Sequence, residues 1–285
     1  MKKCIRLFLA VSVLNLFVFL CANAQTETPP LKIVKITNSL YEVTGGSGAN
    51  TGFFIGENQV VVIDAKMNKE SANQMIDEIK KLTPNSVEKV ILTHSDGDHV
   101  NGLSGFPKGI DVISHHNTRK HMEEAFEDQE LREYLPNQTF SKEMSLYIGE
   151  EIINLFYFHP AHTDGDIVVF FPNQKVAFLG DLIFLNRDPL IHKHKNGSFF
   201  GLVKTLKGIL ELDADTFVHG HGEIAQKKDI HNLVNALEKK QETIKSLIEK
   251  GKSLEEVKKE FGIEQSQNRW PSIIEIIYNE LTEKD

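Results

Sequence analysis

The stretch VEKVILTHSDGDH, residues 87–99, decides how this chain is read. It begins as an apolar, strand-like run and ends in a string holding four side chains of metal-ligand type, His94, Asp96, Asp98 and His99. On an extended chain, residues two apart share a side, so His94, Asp96 and Asp98 are expected to converge while Ser95 and Gly97 point away. Gly97 would let the backbone turn tightly beneath them. A strand ending in a ligand-dense loop delivers imidazole and carboxylate to one point, the donor set that suits zinc or iron.

Three more ligand candidates end strand-like runs downstream: His162 after INLFYFHPA (153–161), Asp181 closing KVAFLGD (175–181), and His221 in TFVHGHG (216–222). Solvated charges placed by chance would not recur at separate strand ends along the whole chain.

Taken together, HSDGDH, AHTDGD at 161–166, FLGD at 178–181 and HGHG at 219–222 resemble the metallo-β-lactamase superfamily, from about residue 32 to the last helix. The resemblance implies an α/β fold, an αββα sandwich of two mixed β-sheets flanked by helices. It implies a first metal held by His94, Asp96 and His162 and a second by Asp98, His99 and His221, with Asp181 bridging. His221 is preferred to His219 because family members usually carry proline at the first of these positions. Two zinc ions per chain are expected, with a single zinc, iron or manganese as alternatives. Asp98 is expected to act catalytically as well, orienting a bridging hydroxide or handling its proton.

One position departs from the family pattern, since Asp96 stands where most members have the second His of HxHxDH. Three carboxylates and a hydroxide would then cancel the charge of two divalent ions, whereas the histidine version keeps one net positive charge. A less positive site should acidify bound water less and polarise a carbonyl less. A carboxylate here is also similar to the flavodiiron branch, which uses iron. Alternatively the short Asp96 fails to reach, leaving the first site weak or empty.

The chain opens with Lys2, Lys3 and Arg6, an apolar run from Leu7 to Leu20, and then Ala22-Asn23-Ala24 before Gln25. This reads as a cleavable secretory signal over 1–24, leaving one domain over 25–285 and a periplasmic or secreted location. Lipidation at Cys21 is the weaker alternative, because Phe19 and Leu20 are bulky where a small residue is needed. The apolar run is short for a membrane span, so no stable insertion is expected after cleavage. Both cysteines, Cys4 and Cys21, fall within the signal, so the mature chain would have neither disulfide nor thiolate ligand. Cleavage removes three cations and no acids and takes the formal charge from −8 to −11, which argues against nucleic acid as a partner and for a small-molecule substrate.

Strand-like runs are read at 32–37, 39–44, 52–56 and 59–64, and an apolar stripe of Ala72, Met75, Ile76, Ile79 and Leu82 predicts a helix over 69–82. Further strands are expected at 110–114, 152–158, 166–171 and 175–180, and helices at about 199–212, 228–250, 253–261 and 271–282. The charged segment 116–145 reads as helical. Asp64, ending VVVIDA, either supports the metal loop from behind or caps the next turn. His115 and His116 read as structural, and His159 as a loop residue. After Asp181, the segment LIFLNRDPLIHKHKNGSFF offers Phe184, Asn186, His192 and Phe199 as substrate contacts, with His194 and Phe200 as weaker ones.

The function expected from these residues and this resemblance is a secreted hydrolase in which a dinuclear metal centre directs hydroxide at a carbonyl of a β-lactam, lactone, ester or thioester. A β-lactam is the best single choice. The alternatives are a non-haem iron oxidoreductase of the same fold, flavodiiron-like or persulfide-dioxygenase-like, and a metal-binding protein with a degenerate site.

Overall fold

The computed structural model describes residues 29–263 and 270–283, so the expected signal segment lies outside the described residues. Two sheets pack face to face. The first has seven strands in the order of the chain: β1 (Lys32–Lys35), β2 (Leu40–Thr44), β3 (Thr51–Ile55), β4 (Val60–Ile63), β5 (Val87–Ile91), β6 (Asp111–His115) and β7 (Gln138–Phe140). Strands β1 to β4 are antiparallel hairpins, and β4 to β7 run parallel. The second sheet contains β8 (Glu143–Ile148), β9 (Glu151–Phe156), β10 (Val168–Phe171), β11 (Val176–Phe178), β12 (Thr216–Val218) and β13 (Ala225–Gln226). Only its β11–β12 pair is parallel.

Strand alternation divides the apolar side chains among three cores. In β4, Val60 and Val62 face the outer core of the first sheet, while Val61 and Ile63 face the core between the sheets. In β10, Val169 and Phe171 join that central core, and Val168 and Phe170 face the opposite outer core. Helices cover both outer faces. On the first sheet these are α1 (Lys69–Leu82), capped by the Asn68 side chain, the short α2 (Gly97–Val100), α3 (His116–Ala125) and α4 (Gln129–Arg132). On the second they are α5 (Phe199–Leu210), α6 (Lys227–Glu249), α7 (Leu254–Glu260) and α8 (Ile273–Thr282). The result is the αββα sandwich of two mixed sheets.

Two details differ from the sequence reading. The segment 116–145 is helical only in α3 and α4; it then supplies β7 and the start of β8, the edge strands of the two sheets. Asp98 reaches the ligand cluster from α2 and not along an extended chain, with the amides of His99 and Val100 donating to the carbonyl of Asp96 (2.9 and 3.2 Å). Gly97 opens this turn.

Candidate metal centre

Loops at one edge of the sandwich carry every expected ligand. His94 to His99 follow β5, His162 lies between β9 and β10, Asp181 follows β11, and His221 follows β12. Backbone bonds fasten these loops together: Ile167 N donates to Thr93 O (2.9 Å), Gly220 N to Gly180 O (2.8 Å) and Asn50 N to Gly220 O (2.7 Å). Gly220 is needed for close approach, since a Cβ there would collide with Asp181 Oδ1 and the His99 ring.

The side chains gather into two groups, His94 with Asp96 and His162, and Asp98 with His99 and His221. Asp181 lies between them, in a third grouping with His94 and His99. Its Oδ1 is 3.2 Å from His99 Nε2 and its Oδ2 is 3.3 Å from His221 Nε2. Asp98 Oδ2 is 3.1 Å from His221 Nε2 and 3.8 Å from His99 Nε2. Asp96 Oδ2 is 3.0 Å from His162 Nε2 and 3.8 Å from His94 Nε2, so Asp96 does reach the cluster. His219 turns away, its Nε2 lying 2.9 Å from the carbonyl of Glu223.

Three buried atoms aimed into the cluster, His94 Nε2, His99 Nε2 and Asp181 Oδ1, have no hydrogen-bond partner among the described residues. Orphaned polar atoms are rare in folded proteins, and imidazole nitrogens converging with carboxylates are a donor set that fits divalent metal ions. The surroundings orient these ligands. His99 Nδ1 is 2.8 Å from Asp64 Oδ2, which also accepts from Thr93 Oγ1, while Asp64 Oδ1 accepts from Thr93 N. This places Asp64 behind the cluster, the first of its two expected roles. His162 Nδ1 donates to Leu190 O at 2.7 Å. Each contact leaves Nε2 as the nitrogen facing the cluster.

Electrostatics follow from this crowding. Burial pulls His162 down, but the hydrogen bond with Asp96 and the charge of Asp181 outweigh it and raise its pKa to about 9. Hydrogen bonds to Asp181 and Asp98 hold His221 at about 9 as well. Burial would raise Asp98, yet His221 and His99 keep its pKa below the ordinary value.

The four candidate substrate contacts separate. Phe184 stacks on His221, with ring centroids 5.7 Å apart, and the Arg187 guanidinium lies 4.1 Å above its ring. Asn186 is exposed. His192 is buried, with Nε2 2.9 Å from Asp96 Oδ2, so it faces the ligand cluster itself. Phe199 is fully buried in the helix-covered core of the second sheet, a packing role. His194 stacks on Trp270 at 5.1 Å, and His115 on Tyr157 at 4.0 Å. Two residues near the centre escaped the sequence reading. Lys195 contacts Asp96, and the fully buried Lys66 donates to the carbonyls of Val43, Gly45 and Ala49. An isolated lysine between strands or in a loop carries no pattern that predicts either contact.

Comparison with known proteins agrees with this fold. The chain is 30% identical over 190 residues to a protein named metallo-beta-lactamase type 2 from Elizabethkingia meningoseptica, covering 64% of this chain and 72% of that one. It is 25% identical over 249 residues to metallo-beta-lactamase IND-1 from Chryseobacterium indologenes, covering 84% of this chain and all of that one. Among solved structures, a metallo-beta-lactamase from Pontibacter korlensis superimposes with a TM-score of 0.65 at 19% identity, covering 73% of this chain and 99% of the other, and so shares the fold. The family model for the metallo-beta-lactamase superfamily matches residues 44–221, more than half the chain and the span holding every expected ligand, and the protein belongs to that superfamily.

Proposed function

We propose that the protein is a dinuclear metallohydrolase, exported to the periplasm or secreted, that opens a carbonyl substrate, with a β-lactam as the first candidate. The observation that carries this reading is the pair of ligand groups meeting at Asp181. His94, Asp96 and His162 would hold one ion, and Asp98, His99 and His221 the other, with Asp181 between. Zinc suits this set of nitrogen and oxygen donors. Metal ions bound here would supply a hydroxide nucleophile at neutral pH and polarise the substrate carbonyl.

The chain's own residues do the rest. Asp98 is the most open carboxylate of the cluster, its side chain 22% exposed against 16% for Asp96, which Lys195 occupies, and 6% for Asp181, so it is the one best placed to accept a proton from an incoming nucleophile. Phe184, 2% exposed, packs on the His221 ring and so supports that ligand, with the exposed Arg187 lying over Phe184. Two relatives named as metallo-beta-lactamases favour a lactam over the other carbonyl compounds.

The test is hydrolysis of a chromogenic cephalosporin by zinc-loaded protein, with and without chelator. Chelator-sensitive turnover is expected. Asp98→Asn, folded and still metal-loaded, should lose about 100-fold or more in kcat, in line with removal of a positioned general base. Unchanged kcat in that variant would remove Asp98 from the mechanism, and a metal-loaded wild type inert to lactams, lactones and thioesters would overturn the hydrolase.

A further inference from the structure

Asp96 adds to the first ligand group an anion that histidine would not, and the segment 190–198 meets that anion. Lys195 Nζ lies 2.7 Å from Asp96 Oδ1, with both side chains 16% exposed. Among the described residues, the other hydrogen bonds of this ammonium are to Ser95, its carbonyl at 3.2 Å and its hydroxyl at 3.0 Å. The second oxygen, Oδ2, is thereby left to face His162 Nε2 and His94 Nε2. His192 Nε2 approaches this same oxygen at 2.9 Å.

The lysine is held where it must be. His192 N donates to His162 O (2.8 Å), Asp164 N to Lys195 O (2.9 Å) and Ser198 N to Ala161 O (2.9 Å), stitching the segment to the strand connection that bears His162. Asn196 takes a left-handed conformation (φ 55°), and Gly197 packs so closely that a Cβ would strike the His162 carbonyl. A lysine on a free loop would gain little from an exposed ion pair. Here the backbone fixes the approach before the pair forms.

We infer that Lys195 is a positioning residue for the first metal ion: it grips Oδ1 of Asp96 so that Oδ2 faces His94 and His162, and its charge makes the Asp96–Lys195 pair equivalent to a neutral imidazole. This rests on the two-metal reading above. It also revises the expected charge of the centre. With the ammonium counted, the balance returns to that of the histidine version, and the expected weakening of water activation is offset.

The experiment is a Zn2+ titration of metal-free protein against a chromophoric chelator, which resolves each equivalent without using activity. Wild type should bind two. Lys195→Met should weaken one equivalent by about 10- to 100-fold, the usual cost of losing an outer partner of a ligand, and leave the other unchanged. Lys195→Arg, which keeps the charge, should retain both. In an Asp96→His background, Lys195→Met should change neither equivalent by more than about twofold, because an imidazole needs no compensating cation.

Two unchanged equivalents in Lys195→Met would overturn the assignment. So would equal weakening of both, a tighter second equivalent, or the same loss in the Asp96→His background, which would mean that the lysine only braces the loop. A wild type that binds a single equivalent also overturns it, whereas a wild type that binds no metal removes the metal reading itself.

Discussion

At the scale of single residues, the centre leans on a buried carboxylate behind it, Asp64, whose side chain is 3% exposed. Asp64 sits at φ 63°, a left-handed conformation uncommon for a residue with a side chain, and uses both oxygens to hold Thr93 and His99. Asp64→Ala should lower the affinity of the group containing His99 by about 10- to 100-fold while sparing the group containing His162, measured by the same chelator competition. Protons give a second handle. His162 and His221, both near 9, carry protons at neutral pH in metal-free protein, and ligation requires neutral imidazole. Metal uptake at pH 7 is therefore expected to release protons and to tighten as pH rises toward 9, where the release fades. Calorimetric titration in buffers of differing ionisation heat reads this directly, and uptake with no net proton release would contradict it. At this scale the candidate ligands that the structure brings together were legible in advance, since HSDGDH, AHTDGD, FLGD and HGHG name them. Lys195 was not, because its partner lies 99 residues away and no local spacing joins them.

Among the elements, the turn after β4 does unusual structural work. Lys66, at φ 69°, buries its ammonium against the carbonyls of Val43 in β2 and of Gly45 and Ala49 in the β2–β3 connection, and that connection then passes Ala49 N to the carbonyl of Asp98 (3.2 Å). Lys66→Met would leave those carbonyls unpaired and should cost about 3 kcal/mol in urea unfolding, with Asp98 less well placed. Nearby on β2, burial pushes Glu42 up to about 7 against the opposing charge of Lys66. Its folded pKa lies above the ordinary value of 4.5, so the folded state holds the proton more tightly. That contribution is complete below pH 4.5 and is lost as pH rises through 7. The stability difference between Glu42→Gln and wild type should accordingly shift in favour of the variant across this window, and a constant difference would rule the group out. The elements themselves show where sequence patterns run thin. Helix α1 has the expected bounds, because amphipathic spacing over four turns is hard to mistake, although Leu82 at the end of the stripe is exposed. Strand β7 and the first residues of β8 fall inside the segment 116–145 that reads as helical, because edge strands expose one side and keep polar residues.

For the whole molecule, the site joins what the two sheets hold apart. The first sheet delivers His94 to His99 and the second delivers His162, Asp181 and His221, so bound metal would link both layers of the sandwich. Ions that bind only the folded chain stabilise it by mass action, about 2.7 kcal/mol at a hundredfold excess over Kd. Chelation should therefore lower the thermal midpoint by several degrees, and in the wild type the midpoint should climb with free zinc. A midpoint indifferent to both would argue against metal at this junction. The architecture as a whole was legible through the family resemblance carried by the ligand motifs, with which the order of the apolar runs agreed; the continuous apolar runs of β4 and β10, buried on both faces, do not by themselves say which side chain faces which layer.

The junction between sheets also dictates when the ligand set can exist. Neither ligand group is complete until both sheets have formed and met, so the centre is expected to assemble after the main folding barrier. Zinc should consequently leave the refolding rate almost untouched and slow unfolding instead, so that the benefit of the metal appears as lifetime of the native state. Stopped-flow refolding and unfolding with and without zinc would separate the two limbs, and a metal-accelerated refolding limb would show that ligands assemble early.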